Sequence, residues 1–241
     1  MLFSCTEIHR HTPETPWRFQ ELDQRQREIA EALRAHKRSG VLLLSELAPV
    51  ITFGRRTPQE DLFLSSPLGA TDPSSIPRVA TDRGGFATYH GPGQWVLFPV
   101  ERLESLVGDP RGVKKAVHAL LEIALEVGLQ YDPSSHIRWG AELGVWSTFG
   151  KFASVGIRVE DGVLLHGLSI NGFRTEQSFL GFRPCGLSAQ VDFLLDRSVY
   201  SPASLPEGLA QHFEHLGRQI LAQAQHRFRK NTLGEAVSSQ L

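Results

Sequence analysis

The sequence predicts an α+β fold, and three observations carry that prediction. Apolar residues recur at helical three- and four-residue steps near 16–39, 110–127 and 206–229. Strand-like apolar runs, among them Val41–Leu47 and Trp95–Val100, occupy the stretches between. The two kinds of segment follow one another without regular strand–helix–strand alternation, which sets the chain apart from parallel doubly wound folds. A length of 241 residues suffices for one sizeable core and is short for two full-size domains.

In the first helix Phe19, Leu22, Gln26, Ile29 and Leu33 share one face, only Gln26 being polar. Pro16 suits its first turn and Gly40 its stop. After the run Val41–Leu47 comes a second strand, Val50–Gly54. Residues 56–78 carry Pro58, Pro67, Pro73 and Pro77 and read as a long surface loop. The glycine- and proline-rich stretch Arg83–Gln94 leads into the strand Trp95–Val100. Asp109 is expected to cap the helix at 110–127, whose apolar stripe is Val113, Val117, Leu120, Leu121, Ala124 and Leu125, with Gly128 ending it. A short strand is read at Leu143–Trp146. The last helix presents Leu209, Phe213, Leu216, Ile220 and Ala224 and gives way to a polar tail from Lys230.

Asp161-Gly162 separates two strand-like runs, Lys151–Glu160 and Val163–Asn171. Asp-Gly supplies the positive φ angles of a two-residue hairpin turn, and such a turn fixes the register. Glu160 then faces Val163, and the pairs Val159/Leu164, Ile157/His166, Val155/Leu168 and Ala153/Ile170 form a packed apolar face. The opposite face carries Gly156 against Gly167 and Ser154 against Ser169. Two strands almost without side chains there imply a slot floored by backbone, or a close approach of another chain segment.

The charge is balanced, 25 Lys+Arg against 26 Asp+Glu, so the basic excess of a dedicated nucleic-acid binder is missing. No stretch reaches the length of a membrane span, and Met1–Glu7 lacks the pattern of a secretory signal, so a cytoplasmic location without membrane contact is expected. The two cysteines, Cys5 and Cys185, allow no disulfide framework and no metal site, and no nucleotide-binding glycine motif occurs.

Three blocks make the sequence specific. They are Arg83-Gly84-Gly85-Phe86-Ala87-Thr88-Tyr89-His90-Gly91-Pro92-Gly93-Gln94, then Lys151–Arg158 continued by His166-Gly167-Leu168-Ser169-Ile170-Asn171, and Pro184-Cys185-Gly186-Leu187. In these blocks the chain resembles the octanoyl-[acyl-carrier-protein]:protein octanoyltransferases (lipoyl/octanoyl transferases), relatives of the biotin and lipoate protein ligases. The resemblance covers roughly residues 15–200. It implies a single catalytic domain, with a family-like core over about 15–229 and a tail at 230–241, built as a mixed β-sheet flanked by helices. It implies octanoyl or lipoyl transfer from acyl carrier protein to a lysine of the lipoyl domains of 2-oxoacid dehydrogenases and of the glycine cleavage H protein. No cofactor, metal or nucleotide is implied. Departures are Leu47-Ala48 where the family shows His, Ser169 where Ala is usual, and Ser188–Asp192 in place of a Thr-Ser pair.

By this resemblance Cys185 is the acyl-carrying nucleophile and Lys151 its acid and base. An ammonium beside a thiol lowers the thiol pKa from its ordinary ~8.5 and holds the thiolate. Substrate contacts are assigned to Arg83, Gly84, Gly85, Phe86, Ala87, Thr88, Tyr89 and His90 on one wall. Ser154, Val155, Gly156, Gly167, Leu168 and Ser169 form the other. His166 falls on the packed face by register and is expected to be structural. Competing readings are an ATP-dependent lipoate ligase, a Cys/His hydrolase lacking a marked orienting pair, and an inactive acyl- or carrier-binding module.

Overall fold

The computed structural model describes residues 2–58, 76–179, 190–201 and 205–232. A seven-stranded sheet forms its centre, in the order β1-β2-β6-β10-β9-β8-β7. These strands are β1 (Phe3–His9), β2 (Gly40–Ser45), β6 (Gln94–Arg102), β7 (His136–Arg138), β8 (Gly144–Trp146), β9 (Lys151–Glu160) and β10 (Val163–Asn171). Only the β1/β2 pair is parallel, so the sheet is mixed. Beside it lie a three-stranded sheet of β3 (Val50–Phe53), β4 (Arg78–Ala80) and β5 (Thr88–His90), and the pair β11 (Phe173–Thr175) and β12 (Asp196–Tyr200).

Helix α1 (Phe19–Arg34) covers one face of the large sheet through Phe19, Leu22, Ile29 and Leu33, which pack with Val41, Leu43, Val96 and Phe98. Helices α2 (Leu103–Val107), α3 (Val113–Gly128) and α4 (Glu207–Thr232) bury the other face against Leu97, Leu164, Leu168 and Ile170. Each face of a sheet must be covered by apolar side chains, and here each face has its own helices and its own core. Among the described residues no helix is long and apolar enough to cross a membrane.

The helix ends differ from the sequence reading for local reasons. α1 starts at Phe19 rather than Pro16, because the Glu21 carboxylate accepts the Arg18 backbone N–H at 2.6 Å and fixes the first turn. It stops at Arg34, and Gly40 begins β2 instead of ending the helix. α3 starts at Val113 rather than 110, since Asp109 spends its side chain on the Arg111 N–H in a turn before the helix. Of its expected stripe Leu120, Leu121 and Ala124 are buried and Val117 and Leu125 are partly so, the face widens to Ala116, Ala119, Ile123 and Val127, and Val113 is 43% exposed. α3 ends at Gly128 as expected, and a methyl there would stand 2.3 Å from the Phe152 ring, so the glycine also allows close packing. α4 continues through Thr232, three residues into the expected tail. Strands β1, β4, β5, β7, β11 and β12 and helix α2 had no clear sequence signal. Most of the expected surface loop, residues 59–75, lies outside the described residues, as do 233–241.

The hairpin register is as expected at every pair from Glu160/Val163 to Ala153/Ile170. One residue departs from its face. His166 adopts φ 59° and turns its ring to the α1 side. The β10/β6 pairing is interrupted between Leu164/Glu101 and Leu168/Leu97, the stretch of β6 that holds Pro99, and proline has no N–H for the ladder. The His166 N–H goes instead to the Gln26 side-chain oxygen at 2.8 Å. This contact also explains the single polar residue on the buried face of α1.

Candidate active site

The α1-facing side of β9 and β10 is a slot, as their sparse side chains imply. Ser154 pairs with Ser169 and Ser169 with Val96, which makes one row across β9, β10 and β6. Gly156 and Gly167 form the next row. A Cβ on Gly167 would stand 2.1 Å from the Leu97 carbonyl oxygen, so only glycine fits there. The cavity over these rows measures about 70 Å³. At roughly 10–15 Å³ for each water-sized group, it holds a string of about five to seven.

The Arg83–His90 stretch supplies the facing wall. The Gly84 N–H donates to the Ile157 carbonyl at 2.9 Å and ties this stretch to β9. The Arg83 guanidinium is held by the Thr52 carbonyl at 2.8 Å and the Thr52 hydroxyl at 2.9 Å. A Cβ on Gly156 would lie 3.2 Å from both the Gly84 carbonyl oxygen and Arg83 Cδ. Along β5 the side chains alternate. Thr88 and His90 line the slot, and Tyr89 turns away into a small core with Ile51, Phe53 and Ile76.

His90 is buried, and desolvation pushes its pKa down to about 4. It is therefore neutral at neutral pH, with Nδ1 against the Gln94 side-chain oxygen at 2.6 Å. Gln94 in turn donates to the Asn171 side-chain oxygen at 2.8 Å, linking β6 to β10. His166 Nε2 meets the Asp82 carboxylate at 2.8 Å. That bond, with the Arg27 guanidinium nearby, holds the Asp82 carboxyl well below the usual carboxylate range.

Lys151, the first residue of β9, enters the slot from the β8 side. Its Nζ donates to the Leu143 carbonyl at 2.5 Å. Gly144 makes room for it, since a Cβ there would stand 2.3 Å from Lys151 Cε. The Lys151 backbone N–H donates to the Gln190 carbonyl at 2.9 Å, and its carbonyl accepts the Asp192 N–H at 3.0 Å. The buried Asp192 carboxylate accepts bonds from the Ser147 hydroxyl and from Arg197 Nε, the latter at 2.7 Å. The chain that follows the Pro184–Leu187 block is thus fastened beside Lys151.

Of the residues singled out from the sequence, the slot gathers Lys151, Arg83, Gly85, Phe86, Ala87, Thr88 and His90. It also gathers Ser154, Val155, Gly156, Gly167, Leu168 and Ser169. Gly84 closes the wall through its backbone, and Tyr89 stands outside. Cys185 and its block lie outside the described residues. Sequence reasoning missed Phe19, Val96, Phe98 and Leu143 as lining, and it placed His166 on the wrong face. The first three read as ordinary core positions, and only knowledge of which strand lies next to β10 would have marked them. Among the described residues no group of three or more His, Cys, Asp or Glu could hold a metal ion.

Comparison with known proteins agrees with this geometry. The family model of the lipoyl protein ligase A/B catalytic domain matches residues 20–232. An octanoyltransferase of Magnetococcus marinus is 38% identical over 170 residues, covering 70% of this chain and 74% of its own. An octanoyltransferase of Legionella pneumophila (strain Corby) is 34% identical over 185 residues, covering 76% and 84%. Among solved structures, P. falciparum LipL1 in complex with lipoate superposes with a TM-score of 0.60 at 10% identity, over 94% of this chain and 63% of that one, a likeness of fold. Matched along nearly all of its described core, the chain belongs to the lipoyl protein ligase A/B catalytic domain family.

Proposed function

We propose that the chain transfers an octanoyl group from acyl carrier protein to a lysine of a lipoyl domain, the acyl group resting between steps as a thioester on Cys185. The observation that carries this reading is the narrow slot with the Lys151 amine at one end, in a chain whose curated relatives are octanoyltransferases. Burying about six methylenes at ~0.8 kcal/mol each contributes on the order of 5 kcal/mol to holding such a chain. Gln190, bonded to Lys151, follows Cys185 by five residues. Five residues extend at most about 18 Å, so covalent geometry alone bounds the sulfur's distance from the slot.

In the first half-reaction the Cys185 thiolate attacks the carbonyl carbon of the carrier's thioester. The new carbon–sulfur bond forms as the carrier's breaks, and the departing thiolate takes a proton from the Lys151 ammonium. Neutral Lys151 then accepts a proton from the acceptor lysine, whose pKa near ~10.4 otherwise keeps it charged. The freed amine attacks the acyl-enzyme carbonyl, the carbon–sulfur bond breaks to release the Cys185 thiolate, and the nitrogen loses its second proton to solvent as the amide forms. Thioester to amide is downhill, so no nucleotide takes part. His90 and the Arg83–Thr88 wall contact the acyl group, and the acceptors are lipoyl domains of 2-oxoacid dehydrogenases and of the glycine cleavage H protein.

The test is incubation with octanoyl-carrier protein and an apo lipoyl domain without ATP, read by intact mass. One octanoyl group on the acceptor is expected. Transfer that needs ATP and free octanoate would replace this reading with a ligase.

A further inference from the structure

We infer that Phe19 is the stop that sets the length of acyl chain the slot accepts, an inference that rests on the slot holding an acyl group as proposed above. The slot runs from Lys151 along β9 and β10 to the Gly156/Gly167 row. Backbone closes that end on two sides. Gly84 is bonded to the Ile157 carbonyl at 2.9 Å, and Gly167 lies against the Leu97 carbonyl. Gly84 cannot retreat without losing that bond, nor Gly167 without parting β10 from β6. The Phe19 ring, 3% exposed and packed with Phe98, is a closing group made of a side chain alone.

Phe19 is also held in place. Its ring lies parallel to His90, at 6.4 Å and 7°, and to His166, at 6.4 Å and 6°. His90 is fixed by Gln94 and His166 by Asp82 and Gln26. The positive φ of His166 thereby has a consequence, since it turns the ring onto the α1 side where it backs Phe19. Phe19 belongs to the apolar cluster that includes Leu47 and Val50, so a tail that took the place of the ring would meet hydrocarbon.

The experiment measures binding of saturated free fatty acids of six to fourteen carbons to the full chain, and transfer from carrier protein loaded with eight, ten or twelve carbons. The proteins are wild type, Phe19→Leu, Phe19→Ala and Val96→Phe. Each added methylene that finds a buried site strengthens binding about fourfold. Phe19→Leu and Phe19→Ala are expected to raise the twelve-to-eight-carbon ratio at least about tenfold, and Val96→Phe to favour shorter chains. If Phe19→Ala does not fold, Phe19→Leu and Val96→Phe decide the matter. A chain-length profile unchanged in the Phe19 variants, or an equal loss at every length, overturns the assignment. Wild type that binds acyl chains by length but transfers none would sink the transferase reading alone.

Discussion

Gly167→Ala is the sharpest steric test of the slot. Gly167 sits in β10 between β6 and β9, and its Cβ position is 2.1 Å from the Leu97 carbonyl oxygen. Ordinary contact begins near 3.4 Å, so β6 and β10 must part by about 1.3 Å at that point. The obstacle is backbone in the centre of the sheet, and no rotamer change relieves it. Overpacking of this kind costs about 2–3 kcal/mol. For a chain of this size each kcal/mol lowers Tm by ~2–4 °C, so a loss of roughly 4–12 °C is expected. Calorimetry or circular dichroism reads the loss, with Gly208→Ala, in the first turn of α4 with open space around it and no positive φ, as the control. A Gly167→Ala protein melting within about 2 °C of wild type would refute the close approach and with it the backbone floor.

Two further predictions concern titration. Burial lowers the His90 pKa to about 4, below the ordinary ~6.5 of the unfolded chain, so between these values the unfolded state binds more protons. The stability that neutral His90 contributes is whole above pH ~6.5 and is lost as pH falls towards 4, by about 3 kcal/mol in all. Denaturant unfolding across that range should show His90→Asn losing less stability than wild type, and parallel pH profiles would contradict the burial argument. Asp82 behaves as a depressed acid, stabilising above its unfolded pKa of ~3.9 and losing that contribution as pH falls below it. Asp82→Asn should therefore cost about 1.5–3 kcal/mol at pH 7 through its charged bonds to His166 and Arg27. That deficit should shrink in acid, and a deficit independent of pH would refute the charge assignment.

Local signals in the chain carried most of the architecture. The Asp161-Gly162 turn fixed the whole β9/β10 register, and the 3.6-residue period marked α1 and α4 by their buried residues. The Gly156/Gly167 pairing pointed to a slot or to a close approach of another segment, and the structure has both, the cavity and the Gly84 contact on β9. What escaped depended on contacts distant in sequence. Strand β1 is defined by its parallel pairing with β2, more than thirty residues on, and the three-residue strands β4, β5 and β7 are too short for a period. His166 was misplaced because strict alternation cannot foresee a left-handed residue, which here follows from Pro99 in the neighbouring strand and from Gln26 on α1. Phe19 looked like one more apolar position on a helix. Its place at the end of the slot follows from two histidines, one 71 and the other 147 positions further along.

The central claim is a sulfur that carries the acyl group. Wild type and Cys185→Ser are mixed with octanoyl-carrier protein, quenched in acid, and read by intact mass and peptide mapping. The account predicts one octanoyl group on the wild-type peptide that contains Cys185, discharged by an apo lipoyl domain, and neither adduct nor transfer in the serine variant. Full transfer by Cys185→Ser, or an adduct on another residue, would contradict it.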